Sequence, residues 1–224
     1  MYKYVKRILQ GISLRLFVEI LLFLGSLIVF AFIANEIVLQ NEKALDDWGF
    51  RKMKPLESSG MTTFMKIMTF LGYWYFIMPA FLIVIAWFLI FKKNTNLSMD
   101  VTAIGITSTI LLFTVKHIFR RERPADPLLH SVSGFSFPSG HSFFAFTFFG
   151  LLIYIVADLK MPRSRKWILS IFFFLVACLV AISRVYLRVH YTSDIIGGFL
   201  LSILWLSISF WVMHIIRGKK FFDR

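Results

Sequence analysis

The chain has 224 residues, 58% of them hydrophobic and 18% aromatic, with 27 Phe and a formal net charge of +13. That apolar share excludes an ordinary soluble domain, and the length accommodates about six helical spans of about 20 residues each, with little left for an accessory domain. The basic residues cluster between apolar runs, where they meet lipid headgroups, so the charge does not point to nucleic acid; a lone cysteine, Cys178, excludes both a disulfide framework and a thiolate metal cluster.

In chain order, Lys3, Lys6, Arg7 and Arg15 precede an apolar run from about Leu16 to Leu39. The run is too long for a signal-peptide core and is read as an uncleaved first span. Residues 40–60 are polar, with Asp46, Asp47, Arg51, Lys52, Lys54 and Pro55, and form the main extramembrane cap. Residues 61–71 then read as a short amphipathic helix or as the start of the next span. A second span is expected over 73–91, anchored by Trp74 and Trp87 with Pro79 as a possible kink, and a third over 101–119 after a connection at 94–98. The loop 120–137, rich in charge and proline, leads to a fourth span from Ser139 to about Val156. A basic loop at 160–166 precedes a fifth span from Trp167 to about Val185, and a sixth follows Tyr191 and ends near Ile216. The expected architecture is therefore all-α: one integral-membrane domain over 1–224, a six-helix transmembrane bundle with a small extracytoplasmic cap.

Lys and Arg fix the expected orientation. Lys3, Lys6, Arg7, Arg15, Lys92, Lys93, Lys160, Arg163, Arg165, Lys166, Arg217, Lys219, Lys220 and Arg224 all fall on one side, which the positive-inside rule makes cytoplasmic, with both termini inside. Six spans in this order bring Lys116, Arg123, Ser139, His141, Arg184, His190 and Asp194 to the opposite, outer surface.

Those residues form three sequence-distant pieces: Lys116 with Arg123-Pro124, Pro138-Ser139-Gly140-His141, and Ser183-Arg184 with His190 and Asp194. Polar groups of this density are expensive near a membrane and mark a site. If 183–194 is helical, His190 and Asp194 are i and i+4 and share a face, with Ser183 seven residues back on nearly the same line. Three fixed cations, two histidines and a carboxylate suit phosphate, which guanidinium groups grip in bidentate fashion. Pro138-Ser139-Gly140 stands where a helix should begin, so the backbone N–H groups of Ser139, Gly140 and His141 offer an anion site, with Gly140 admitting close approach. Asp194 makes His190 the better nucleophile by fixing its tautomer; His141 is then the general acid and later the base that activates water. Lys116, Arg123 and Arg184 would stabilise the equatorial oxygens, so no metal and no other cofactor is required by the arrangement.

Lys116, six residues, Arg123-Pro124; then Pro138-Ser139-Gly140-His141; then Ser183-Arg184, five residues, His190, three residues, Asp194: this series resembles, position by position, the signature of the type 2 phosphatidic acid phosphatase superfamily. The resemblance implies the same roles for these residues and metal-independent dephosphorylation of lipid phosphates at the outer face of a bacterial cytoplasmic membrane. The architecture looks like the phosphatidylglycerophosphatase B and undecaprenyl pyrophosphate phosphatase group, which makes phosphatidylglycerol phosphate the first expected substrate and undecaprenyl pyrophosphate, or phosphatidate more broadly, the alternative. A transporter that binds an anion without chemistry is a competing reading, but transporters place their binding groups near the bilayer midplane. Transfer of the phosphoryl group to an acceptor other than water is a third.

Arg120, Arg121 and Arg188 lie near the site but outside the signature, and read as interfacial charges paired with Glu122 or Asp126, or else as headgroup contacts. Asp46 and Asp47 read as solvated charge, with a part in shaping the outer cap as the alternative. His117, His130 and His214 carry no assigned chemistry, Cys178 is a packing or lipid-facing residue, and Tyr and Trp at span ends are anchors.

Overall fold

The computed structural model describes residues 14–129 and 133–217. Lys3, Lys6, Arg7, Lys219, Lys220 and Arg224, which carry part of the orientation argument, and His130 lie outside the described residues. Among the described residues eight α-helices follow one another: α1 (Leu14–Phe32), continued by a π-helical stretch Ile33–Leu39; α2 (Ala44–Met53); α3 (Ser59–Phe70); α4 (Trp74–Ala86), continued by a π-helical stretch Trp87–Phe91; α5 (Thr95–Phe119); α6 (Gly140–Asp158); α7 (Arg163–Tyr186); and α8 (Thr192–Arg217). Six of the described helices, Phe17–Leu39, Trp74–Phe91, Thr95–Phe119, Gly140–Asp158, Arg163–Tyr186 and Thr192–Ile216, are long and apolar enough to cross a membrane. At about 1.5 Å per residue each matches a hydrocarbon core about 30 Å thick.

Helix boundaries follow from local chemistry. The segment 94–98, expected as a connection, is instead the start of α5: the Asn94 side chain accepts from Leu97 N at 3.1 Å, and Ser98 Oγ donates to Ile85 O at 3.1 Å across the turn. Of the basic run 160–166 expected as a loop before the fifth span, 163–166 form the first turn of α7, which begins directly after Pro162. Residues 59–70 form a helix of their own, capped by Ser58 Oγ accepting from Met61 N at 3.2 Å, and a turn at 71–73 separates it from α4. Helix α5 ends where Arg120 takes a left-handed conformation, φ 47°, its N–H bonded to Lys116 O at 3.0 Å. That reversal leaves Lys116 in the last turn of α5, at the mouth of the bundle.

The segment 183–194 is not one continuous helix. Helix α7 stops at Tyr186, a tight turn carries residues 187–191, and α8 begins at Thr192. Leu187 N, Arg188 N and Val189 N fold back onto Ser183 O, Val185 O and Arg184 O at 2.9, 2.9 and 3.1 Å, and Arg188 takes φ 52°. No Gly or Pro marks this break, yet it falls where the fifth and sixth spans are expected to part, after about Val185 and before the residue that follows Tyr191.

Helix α6 lies at the centre, packed most extensively on α7 and α8, while α1 lies on α8 and α4 on α5. The main core joins Ile77 and Phe81 of α4, Val101 and Ile104 of α5, Phe148, Phe149 and Leu151 of α6, and Ala177 and Val180 of α7. Lipid-facing chains such as Phe17, Ile83, Phe113 and Ile168 are exposed, as expected where the solvent is hydrocarbon. Helix α3 buries Met65 against Tyr186, Leu187 and Val189 and exposes Phe64, Ile67 and Phe70, a stripe suited to a membrane interface.

The start of α8 touches the start of α6 almost backbone to backbone. A Cβ on Gly198 would lie 2.8 Å from Ser139 O and 3.1 Å from Phe143 N. Gly198→Leu is therefore expected to destabilise the fold by about 1–3 kcal/mol, the usual range for overpacking. It should also lower kcat, because the strained contact lies under Ser139. The thermal midpoint in detergent and the activity of the folded fraction check this; an unchanged midpoint would refute it.

Candidate active site

The ends of α5 and α7 and the starts of α6 and α8 meet at one end of the bundle and bring the three sequence pieces together. His190 occupies the turn between α7 and α8, 1% exposed. Its Nδ1 lies 3.1 Å from Asp194 Oδ2 and 3.3 Å from Ser136 Oγ, and its Nε2 lies 3.1 Å from Arg123 Nη1. With a carboxylate on Nδ1 the proton belongs there, which leaves the Nε2 lone pair facing Arg123. Burial, reinforced by the positive charges of Arg184, Arg123 and Lys116, holds the imidazole well below its ordinary pKa, so it is neutral near pH 7.

Asp194, in the first turn of α8, is fully buried and saturated with donors. Oδ1 accepts from Arg121 Nη1 at 2.8 Å; Oδ2 accepts from Tyr191 N at 3.0 Å and from Ser136 Oγ, besides His190. The i, i+4 contact thus forms although His190 itself lies outside α8, because the turn points His190 back at the helix that follows.

Lys116 Nζ donates to Phe135 O at 2.6 Å. Arg123 spans the same loop, with Nε on Gly134 O at 2.9 Å and Nη1 on Val189 O at 2.8 Å. The two cations therefore hold the chain at 133–136 against the turn that carries His190. Arg184 is completely buried. One of its nitrogens donates to Thr69 Oγ1 at 2.5 Å, while Nε and Nη2 make no hydrogen bond. Buried, unpaired N–H groups of this kind are what an anion would satisfy. His141 stands within electrostatic reach of Arg184, His190, Arg123 and Lys116, and its Nε2 is likewise buried and unbonded.

At the start of α6 the expectation of three free N–H groups needs correction. Ser139 N donates to Asp194 O at 3.0 Å, and the Ser139 hydroxyl caps the helix by accepting from Ser142 N at 3.4 Å. Only Gly140 and His141 keep first-turn N–H groups without an intrahelical acceptor. Gly140 also serves packing: a Cβ there would lie 3.2 Å from Leu112 Cδ2 and 3.8 Å from Lys116 Cε, so its absence lets α5 and its lysine approach. Ser183 is buried and bonded to its own helix at Val180 O, 2.6 Å, away from any role in the site.

Several residues read as bland are part of this constellation. Asp46, expected to be solvated, is 1% exposed and pairs with Arg121 Nη2 at 2.6 Å, whereas Asp47 is exposed. Arg121 bridges Asp46 and Asp194 and pairs with neither Glu122 nor Asp126. Arg188 bonds Asp126 at 2.8 Å and also Glu57, joining the segment between α2 and α3 to the loop after α5. Tyr73, expected as an anchor, packs edge-on against His141 with ring centres 4.5 Å apart, and the Arg184 guanidinium lies 5.9 Å from the Tyr73 ring centre. Beside the site, Phe50, Arg51, Lys54, Pro124, Asp126, Arg188 and Tyr191 line a cavity of about 430 Å³ between α2 and the turn that carries His190.

Comparison with known proteins identifies the family. The PAP2 superfamily model matches residues 97–217. Phosphatidylglycerophosphatase B of Bacillus subtilis (strain 168) is 34% identical over 82% of this chain and 88% of its own length. A putative undecaprenyl-diphosphatase, YbjG, of Escherichia coli (strain K12) is 28% identical over 64% of this chain and 70% of its own. The crystal structure of a transmembrane PAP2-type phosphatidylglycerolphosphate phosphatase from Bacillus subtilis superposes with a TM-score of 0.78 at 28% identity, covering 88% of this chain and 98% of that one. A six-span bundle, the three-piece signature gathered at one end of it, and these matches together establish that the chain belongs to the PAP2 superfamily and is a membrane lipid phosphatase, a phosphoric monoester hydrolase.

Proposed function

We propose that the protein removes the terminal phosphate of phosphatidylglycerol phosphate through a phosphohistidine on His190. The observation that carries this is the His190 imidazole, held by Asp194 on one nitrogen and facing Arg123 with the other, beside the unpaired N–H groups of Arg184. His190 Nε2 attacks phosphorus as the P–O bond to the glycerol breaks, and His141 gives the departing oxygen its proton. Water then attacks the phosphohistidine, surrendering a proton to His141, and inorganic phosphate leaves with His190 neutral again. Lys116, Arg123 and Arg184, with the N–H groups of Gly140 and His141, meet the charge on the three equatorial oxygens; the Ser139 hydroxyl lies at the same helix start. Asp194 keeps the proton on Nδ1 and stabilises the cationic phosphoimidazole.

Three fixed cations supply the charge compensation that a divalent ion provides in many phosphotransferases. A chelator is accordingly expected to leave the rate unchanged, measured as phosphate release from mixed micelles with and without EDTA. Loss of activity restored by a divalent cation would overturn that part of the mechanism.

The reading places the protein in a bacterial cytoplasmic membrane with both termini inside, and the cap and site outside, because the Lys and Arg of the opposite loops form the positive side. Undecaprenyl pyrophosphate is the second substrate reading, favoured by the likeness to the undecaprenyl-diphosphatase relative. Phosphate release from phosphatidylglycerol phosphate, phosphatidate and undecaprenyl pyrophosphate at matched surface concentration tests the order. The highest kcat/KM is expected for phosphatidylglycerol phosphate, and a preference for the pyrophosphate would reverse the assignment.

A further inference from the structure

Asp46 belongs to the cap, far in sequence from every signature residue, yet it is buried against the catalytic aspartate's own helix. Its Oδ1 accepts from Ser193 N and Ser193 Oγ, both at 2.8 Å, and its Oδ2 accepts from Arg121 Nη2 at 2.6 Å. Arg121 in turn donates through Nη1 to Asp194 Oδ1 at 2.8 Å and to Ser193 Oγ at 2.7 Å, with its guanidinium carbon 4.1 Å from the centre of the Tyr191 ring. Asp194 Oδ2 holds His190. An unbroken series of charge-assisted bonds thus runs from α2 to the imidazole, with a residue adjoining His190 stacked on its middle member.

The seat of α2 is shaped for this contact. A Cβ on Gly49 would fall 1.8 Å from Thr192 Oγ1, so the cap helix rests directly on the first residue of α8, one turn from Asp46. Two carboxylates share one guanidinium here, which leaves Asp194 with more negative character toward His190 than if Arg121 were wholly its own. We propose that Asp46 and Arg121 are positioning residues for phosphoryl transfer, through which the seating of the cap helix on α8 sets the alignment of Asp194 and His190.

This rests on the assignment of His190 as the nucleophile, and the experiment separates the two. Wild type, Asp46→Asn, Arg121→Gln, the charge-balanced Asp46→Asn/Arg121→Gln double variant and Gly49→Val are purified in detergent. Each is assayed on phosphatidylglycerol phosphate, with acid-labile phosphoenzyme formation followed using radiolabelled terminal phosphate. Asp46→Asn is expected to lower kcat and the rate of phosphoenzyme formation by about 10²-fold, the cost of a small misplacement of reacting groups, with KM nearly unchanged. Gly49→Val, which lifts the cap without altering any charge, should act in the same direction. The double variant, which restores the local net charge, should be more active than Arg121→Gln alone, a coupling that simple loss of stability does not produce.

Labelled His190 with wild-type kcat in the folded Asp46→Asn protein would overturn the positioning role alone. So would strictly multiplicative losses in the double variant. No label on His190 in the wild type would overturn the nucleophile assignment and this inference with it.

Discussion

Replacing His190 with Ala is expected to lower phosphatase activity by about 10⁴-fold or more, the scale on which loss of a covalent nucleophile is felt. The imidazole supplies the lone pair that faces Arg123, and neither Ser136 nor Tyr191 beside it offers a comparably basic nitrogen. Because His190 is buried and bonded on both nitrogens, its removal also leaves Asp194 with one donor fewer. Asp194 nevertheless keeps Arg121, Tyr191 N and Ser136, so the protein should stay folded. His190→Gln, which fills more of the space, guards against a trivial loss of structure. Both variants should elute as the wild type does, retain a thermal midpoint close to it, and form no acid-labile phosphoenzyme. The depressed pKa also fixes a sign: an imidazole kept neutral by burial loses its lone pair only as pH falls well below the ordinary imidazole range. Protonation of His190 should therefore not limit wild-type activity in mildly acidic buffer. Full activity in a folded His190→Ala protein would sink the mechanism.

What the chain reveals without coordinates divides along physical lines. Spans are legible because a bilayer imposes a length and an apolar requirement that hydropathy reads directly, and the bundle in Thr95–Phe119, Gly140–Asp158 and their partners follows. Lys116, Arg123, His141, Arg184, His190 and Asp194 are legible because charged groups at such positions are costly and their spacing is unusual. Arg121 was hidden in plain view by Arg120, Glu122 and Arg123, a run in which composition gives no way to tell the inward-facing side chain from its neighbours. Only the left-handed turn at Arg120 aims it at Asp194. Asp46 was hidden for a different reason: a carboxylate in a polar segment is usually solvated, and its burial depends on a helix-to-helix seat created by the lack of a side chain at Gly49. The break of α7 at Tyr186 leaves no Gly or Pro in the sequence because backbone bonds from residues 187–190 onto Ser183, Arg184 and Val185 stabilise the turn. Tyr73 looks like any interfacial tyrosine until Gly72 beside it is seen to lie against His141, where a Cβ would be 3.0 Å from the ring.

His141 is the residue whose loss should depend most on the substrate. A general acid matters in proportion to how poor the leaving group is, so His141→Gln is expected to slow cleavage of the alkyl phosphate of phosphatidylglycerol phosphate by about 10²–10⁴-fold. An aryl phosphate such as p-nitrophenyl phosphate departs as a stable phenolate and needs no proton, so phosphorylation of His190 by that substrate should be nearly spared. The second half of the cycle is not spared, because water attacking the phosphohistidine still lacks its base. Stopped-flow absorbance should then show a rapid burst of phenolate, about one per active site, followed by slow turnover, the signature of an accumulating covalent intermediate. Binding should change little, because Lys116, Arg123 and Arg184 remain, and Gln keeps the backbone N–H at the start of α6. The buried, unbonded Nε2 of His141 beside Tyr73 is the geometric reason to expect this split. An equal loss on alkyl and aryl substrates, with no burst, would instead make His141 a phosphate-binding group and move the acid role to another residue. Rates that depend on the leaving group, together with a trapped phosphoenzyme, assign both half-reactions to the same imidazole.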